Sequence, residues 1–381
     1  MSLNKQSPTG LYLHIPFCRQ KCEYCDFYSI TRMDDVDNFV AALCREMELR
    51  APDYSRQVFD TVFWGGGTPS LLTEKQFARI RESLWQNFRI RSSAEFTVEA
   101  NPGTLSLSKL RFLRELGVNR LSLGVQSFNP DELRFLGRIH SVHEARRSFQ
   151  NARAAGFDNI NIDLMTAFPG ISAASFQNTL NEALKLLPEH ISCYTLIFEP
   201  GTVFYKKMKR GILTPVSEAE EAGFYEMAAE RLSGFGYRAY EISNFSRGGE
   251  FVCRHNLIYW NHRPYLSFGP SAHSFDGVKR WGNARSLALY LKQINAGKLP
   301  VDFEETLSPE QLRFEYIFLQ LRLREGINLR EFQQRFGMPL QSAYAEPLHK
   351  LQQEKLIEIQ NDSLRLSPRG WMLADSVSAY F

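Results

Sequence analysis

Three cysteines spaced CxxxCxxC, namely Cys18, Cys22 and Cys25, sit in the run from His14 to Phe27. Thiolates this close together on one loop can converge on a soft metal centre, and iron–sulfur clusters are held by thiolates at such spacings. Three ligands is one short of what a [4Fe-4S] cube takes from cysteines. A cube held here keeps one iron open, and a small molecule can chelate it. Structural zinc would want a fourth ligand nearby; none follows, and His14 precedes a proline in an apolar run that reads as a strand end. Zinc and unrelated buried thiols stay as alternatives. Two other stretches bear on chemistry. Gly65, Gly66 and Gly67, followed by Thr68, let backbone approach a ligand closely, or mark a simple tight turn. His255 stands in His255-Asn256-Leu257-Ile258-Tyr259-Trp260. Imidazole ligates iron and aromatic rings can cover a porphyrin, which suits heme, although a histidine hydrogen-bonded in a core is the commoner arrangement.

These residues need a scaffold. From residue 11 to about 245, short apolar or β-branched runs alternate with helical periods, the pattern of a parallel sheet with crossover helices. Strands are expected at 11–15, 60–64, 95–99, 120–125, 160–165 and 190–197, with a seventh near 238–243. Thr73 to Gln76 and Ser141 to Glu144 read as capping boxes, and Gly117 and Gly156 as helix ends. Six such units fit an open (β/α)6 partial barrel or a doubly wound sheet, and the pattern does not choose between them. In parallel α/β folds the chemistry sits at the carboxyl ends of the strands. Past Pro300 the pattern changes to helices over 309–323, 329–336 and 340–354, then a hairpin turning at Asn361-Asp362. That order resembles a winged helix, an α+β unit. The expected division is 1–245 for the barrel, 246–300 for a connecting region holding the His255 stretch, and 301–381 for the C-terminal domain.

The cysteine loop after a first strand resembles the radical S-adenosylmethionine (radical SAM) superfamily, and Tyr12 to Cys18, as YLHIPFC, resembles its oxygen-independent coproporphyrinogen III oxidase branch. The resemblance implies the partial barrel, a [4Fe-4S] cluster on Cys18, Cys22 and Cys25, and SAM bound at the open iron. It implies that Gly66, Gly67 and Thr68 belong to the glycine motif for the SAM amino group. Glu99, Gln126, Arg138 (in Leu136-Gly137-Arg138-Ile139-His140) and Asp163 (in Asn161-Ile162-Asp163-Leu164-Met165) are implied to contact SAM. Tyr12 and Tyr24 would pack on it, and Ile197 would line the adenine pocket. One departure is visible: Thr166-Ala167-Phe168-Pro169-Gly170-Ile171 stands where the family usually has GLPGQ, so a glycine and a glutamine are missing.

Within this branch the chain resembles the heme chaperones of the HemW type more than the oxidase. The oxidase carries CxxxCxxCxC, and Phe27 occupies the fourth cysteine position here. The oxidase also has a long N-terminal extension, whereas eleven residues precede Tyr12. HNxxYW, from His255 through Asn256, Tyr259 and Trp260, resembles the chaperones' heme motif; His273 is a second candidate ligand. The resemblance implies heme as ligand and a heme-accepting protein as partner, and leaves open an electron donor and peripheral association with a membrane. The other readings are oxidative decarboxylation of coproporphyrinogen III and a zinc-containing nucleic-acid binder using the C-terminal region.

Composition fits these expectations. With 381 residues, 44% hydrophobic, the chain can bury a large core and a smaller one. No run approaches the roughly 20 apolar residues of a membrane span, and no signal-peptide pattern opens the chain, so a cytoplasmic location is expected. The six cysteines, three at ligand spacing, fit a reducing compartment. A balance of 45 basic to 42 acidic residues gives no argument for nucleic acid. The run Lys206 to Arg210 is a solvated face or a patch for acidic groups.

Overall fold

The computed structural model describes residues 8–381; the first seven, counted in the expected 1–245 unit, lie outside the described residues. Six strands, β1 (Gly10–Ile15), β2 (Val58–Gly66), β3 (Arg89–Ala100), β4 (Arg120–Gln126), β5 (Ile160–Thr166) and β6 (His190–Thr195), lie side by side in chain order. All five pairings between them are parallel. Crossover helices such as Val36–Arg50, Glu74–Asn87 and Val142–Ala154 return the chain. Both expected capping boxes form, at Thr73 with Gln76 and at Ser141 with Glu144. The architecture is the α/β partial barrel.

Strand alternation sorts the side chains into two populations. Leu11, Leu13, Val62, Trp64, Val98, Leu121, Leu123, Ile160, Ile162 and Leu164 belong to the large apolar core. The intervening positions carry Tyr12, His14, Thr61, Glu95, Thr97, Glu99, Arg120, Ser122, Asn161, Asp163, His190 and Ser192. The register sets these beside one another: Thr61 opposite Glu95, Thr97 opposite Arg120, Glu99 opposite Ser122, Asp163 opposite Ser192. A period-2 pattern with both faces covered gives an apolar outer layer and a polar lumen.

Both sheet edges depart from expectation. The predicted seventh parallel strand is instead a hairpin, β7 (Arg238–Ala239) and β8 (Asn244–Ser246), with β8 antiparallel to β6. On the far edge, after a short helix Arg254–Trp260, β9 (Tyr265–Phe268) pairs parallel to β1. Then β10 (His273–Phe275), β11 (Lys279–Asn283) and β12 (Val301–Thr306) extend the sheet antiparallel. Much of the stretch read as a connector thus builds sheet.

A second core, including Tyr316, Ile317, Phe332, Leu348, Leu351 and Leu364, underlies the C-terminal region. Its three strands, β13 (Ile327–Asn328), β14 (Ile357–Gln360) and β15 (Ser363–Leu366), order as β13-β15-β14. The hairpin turns at Asn361 and Asp362, both at positive φ (50° and 61°), as a two-residue turn of the primed type requires. The expected helix over 340–354 is broken into Leu340–Ala343 and Ala345–Gln353. Pro347 explains the break, because its ring cannot accept the carbonyl four residues back in a continuous helix. No helix among the described residues is long and apolar enough to cross a membrane.

The missing glycine after β5 has a structural cost. Ala167, buried, adopts φ +55°, a conformation that costs a side-chain-bearing residue roughly 1–2 kcal/mol. Ala167→Gly is therefore expected to stabilise the fold by about 1 kcal/mol after glycine's greater unfolded-state entropy is counted. Thermal unfolding followed by circular dichroism checks this; a lower midpoint would show that the lost methyl packing outweighs the relief.

Candidate functional site

The cysteine loop leaves β1 and is closed at its base. Cys18 N donates to Ile30 O (2.9 Å) and Ile30 N to Pro16 O (2.7 Å), so the cysteine loop leaves and rejoins the end of β1 at one place. The glycine run seats it. A Cβ on Gly67 would stand 2.8–2.9 Å from backbone atoms of Ile15 and Phe17, and one on Gly66, which has φ +104°, would stand 2.5 Å from the His14 ring. Glycine is needed here so that the end of β2 can pack against the root of the cysteine loop, a reason of close packing inside the protein.

A chain of hydrogen bonds then ties the loop to three strand ends. Cys18 Sγ lies 3.4 Å from Thr68 Oγ1, which accepts from Asn101 Nδ2 at 2.9 Å. Asn101 Oδ1 accepts from Arg138 Nη2, the same nitrogen donates to Gly124 O (2.9 Å), and Arg138 Nη1 donates to Cys22 Sγ (3.4 Å). Gln20 reaches across to Gly137 O (3.1 Å). The basic run also packs here: Phe204 N, in the helix Val203–Lys209, donates to Glu23 O (3.1 Å), and Lys207 pairs with the Glu23 carboxylate.

Below the loop, two carboxylates face the lumen mouth. Glu99 Oε2 accepts from Gly66 N (3.2 Å). Asp163 accepts from Ser122 Oγ (3.0 Å) and Asn161 Nδ2 (2.7 Å). Each retains a little contact with solvent while protein surrounds it. Burial raises both acids, and for Glu99, pushed to about 8, the Asp163 charge adds to burial. Gln126, at the end of β4, is held at φ +68°; such strain persists where the surroundings over-determine it and is common at ligand sites. Tyr12 stacks on Phe63 in the lumen and its hydroxyl meets His14 Nδ1 at 3.1 Å. Tyr24 packs beside Phe204, and Ile197 is 65% exposed on the rim.

Burial raises the thiols of Cys18 and Cys25, the latter to about 11, and the neighbouring Cys22 sulfur adds to both shifts. Structural zinc requires ligands closing on a single ion; among the described residues no group of three or more His, Cys, Asp or Glu does so. Three thiols on one loop, with Arg138 beside Cys22 to offset thiolate charge, fit the donor set of an iron–sulfur cube.

The HNxxYW residues lie elsewhere, at the amino ends of β1 and β2. Glu95 accepts from the backbone N–H of Arg254 (2.9 Å) and of His255 (3.0 Å), holding the short helix Arg254–Trp260 against the lumen. His255 is 1% exposed, with Nδ1 2.7 Å from Thr61 Oγ1 and Nε2 2.9 Å from Tyr259 OH. Its ring stacks on Phe63, and burial drops its pKa to about 3. Against the expectation of an iron ligand, His255 has no free nitrogen in this arrangement, because two hydroxyls occupy both. Tyr259 meets Tyr265 edge-on, Asn256 is half-buried, and Trp260 lies under the Arg322 guanidinium (4.7 Å). His273, by contrast, is exposed.

Residues 12–183 match the radical SAM superfamily and 307–373 the HemN C-terminal domain. The chain is 37% identical to the heme chaperone HemW of Bacillus subtilis, covering 97% of this chain and 98% of that one. The chain belongs to the HemW family. A zebrafish (Danio rerio) relative, radical S-adenosyl methionine domain-containing protein 1, mitochondrial, is 33% identical over 97% of this chain and 85% of its own. The coproporphyrinogen III oxidase HemN of Escherichia coli shares the fold, with TM-score 0.87 at 24% identity over 99% of this chain and 90% of that one.

For this HemW-family chain, the structure gathers Cys18, Cys22, Gly66, Gly67, Thr68, Glu99, Gln126, Arg138 and Asp163 at one mouth and sets the HNxxYW group apart. Asn101, whose amide joins Thr68 to Arg138, is not among the residues named from the sequence; an Asn-Pro pair directly after a strand is its signal. The Glu99 environment has a pH consequence. In the unfolded chain this carboxyl ionises near 4.5, and in the fold at about 8. Its contribution to stability is thus full below pH 4.5 and is lost as pH rises through 8. Glu99→Gln removes the ionisable group, so the cofactor-free variant should lose less thermal stability than the parent between pH 5.5 and 8.5. Equal losses in both would overturn the assigned environment.

Proposed function

We propose that this chain is a heme chaperone that carries a [4Fe-4S] cluster and SAM at the barrel mouth and passes heme to an acceptor protein in the cytoplasm. The observation that carries the reading is its 37% identity, nearly end to end, with a protein named heme chaperone HemW. Cys18, Cys22 and Cys25 would hold the cluster, which supplies a low-potential electron when bound. Thr68 and Arg138 fix the loop through Cys18 and Cys22. Glu99 and Asp163 offer paired, poorly solvated acids to the cationic ammonium and sulfonium centres of SAM, an attraction that returns the ionised form to both. Gly66, Gly67, Gln126, Tyr12, Tyr24 and Ile197 complete the surroundings of SAM.

Phe27, 67% exposed on the loop, stands where the oxidase pattern has a cysteine and offers no ligand. This supports the chaperone over decarboxylation of coproporphyrinogen III. For heme, His255 would reach iron only by giving up Tyr259 or Thr61.

Two measurements follow. Cys22→Ser, reconstituted anaerobically, should lose most of the cluster's iron and its visible absorbance, while a full complement would refute the ligand set. The unaltered protein should bind heme stoichiometrically and leave coproporphyrinogen III unchanged in an anaerobic assay with SAM and reductant. Robust decarboxylation would promote the oxidase reading.

A further inference from the structure

The largest cavity described, about 1010 Å³, is a cleft between the barrel and the C-terminal region. It is at the upper end of small-molecule sites, which run to roughly 1,000 Å³. None of the residues gathered at the cysteine mouth lines it. One wall is the helix Glu218–Ser233 with β7; the other is β15 and the residues after it. The floor is apolar, built from Tyr237, Phe245 and Leu366, all buried. Trp371 packs on both hydrophobic cores and meets Tyr225 across the cleft with ring centroids 6.4 Å apart. Beside them Met372 is 40% exposed.

The charges are unevenly placed. Arg238, Arg324, Arg365 and Arg369 line the cleft. Arg365 is paired with Glu358 at 2.9 Å. The guanidinium groups of Arg238, Arg324 and Arg369, all exposed, have no hydrogen-bond or ion-pair partner among the described residues. The other lining acids, Glu226 and Glu230, both come from the helix wall. A ligand matching this surface is flat and apolar, bears anionic groups along one edge and tolerates a thioether.

We propose that this cleft is the heme site: one face of the porphyrin lies against the Tyr225–Trp371 pair, its propionates meet Arg324 and Arg369, and Met372 stands on the iron side. Guanidinium–carboxylate pairing gives directional, charge-assisted hydrogen bonds, and a thioether is an established axial ligand to heme iron. A site closed by two separately cored regions also has a release route, since separating the walls exposes the porphyrin to an acceptor. The proposal rests on the chaperone reading and gives its cargo a place distinct from HNxxYW.

The test is an anaerobic heme titration of the full chain, followed by Soret absorbance. Arg324→Glu combined with Arg369→Glu, both surface changes, should weaken heme binding about tenfold or more. Met372→Ala should shift the Soret band, and SAM affinity, read by calorimetry on the cluster-loaded protein, should hold in all of these variants. Unchanged heme affinity in the double variant overturns the site. Loss of binding in His255→Ala, with the cleft variants behaving as the parent, overturns it as well and leaves the chaperone reading standing. An unaltered protein that binds no heme overturns both.

Discussion

Buried charge in the barrel lumen is the constraint on which the rest of the structure depends. An ionised group taken out of water is costly unless partners replace its hydration, and the lumen holds Glu95, Glu99, Arg120 and Asp163 within a shell of hydrophobic strands. At the amino end the solution is internal. Glu95 accepts from the helix start at Arg254 and His255 and from the Cys253 thiol (3.7 Å). His190 bridges Asn161 (2.6 Å) and the Tyr240 hydroxyl (2.9 Å), and Asn161 in turn supports Asp163. At the carboxyl end the accounting is left open, with two acids near each other and raised above their ordinary range.

HNxxYW takes on a definite physical role in this frame. The stretch stoppers the lumen: its backbone satisfies Glu95, its imidazole is held by Thr61 and Tyr259, and Trp260 reaches toward the C-terminal region through Arg322. Gln320 of that region donates to the Trp260 carbonyl (3.1 Å). One short helix thus connects the floor of the barrel with the second core, so changes in the C-terminal region can be felt in the lumen.

The cysteine loop obeys the complementary rule. The loop lies outside the regular elements, and its shape comes from its borders. Backbone bonds at Cys18 and Ile30 close its root, glycines let β2 press against it, and the Thr68–Asn101–Arg138 relay fixes two thiols from outside.

The amino-acid sequence by itself determined the six β/α units, the placement of Glu99 and Gln126 at strand ends and that of Asp163 on β5, because each rests on local periodicity or on short spacing along the chain. The capping boxes at Thr73 and Ser141 were legible for the same reason. Only the tertiary structure decided which edge the returning chain joins: β9 pairs with β1 some 250 residues away, and strands this short carry little periodic signal. It alone showed that the HNxxYW histidine faces Thr61 and that Asn101 links two distant segments, since hydrogen bonds between remote strands leave no trace in local pattern. It alone opened the cleft between the two cores, whose walls come from residues more than a hundred positions apart and meet only once both cores have formed.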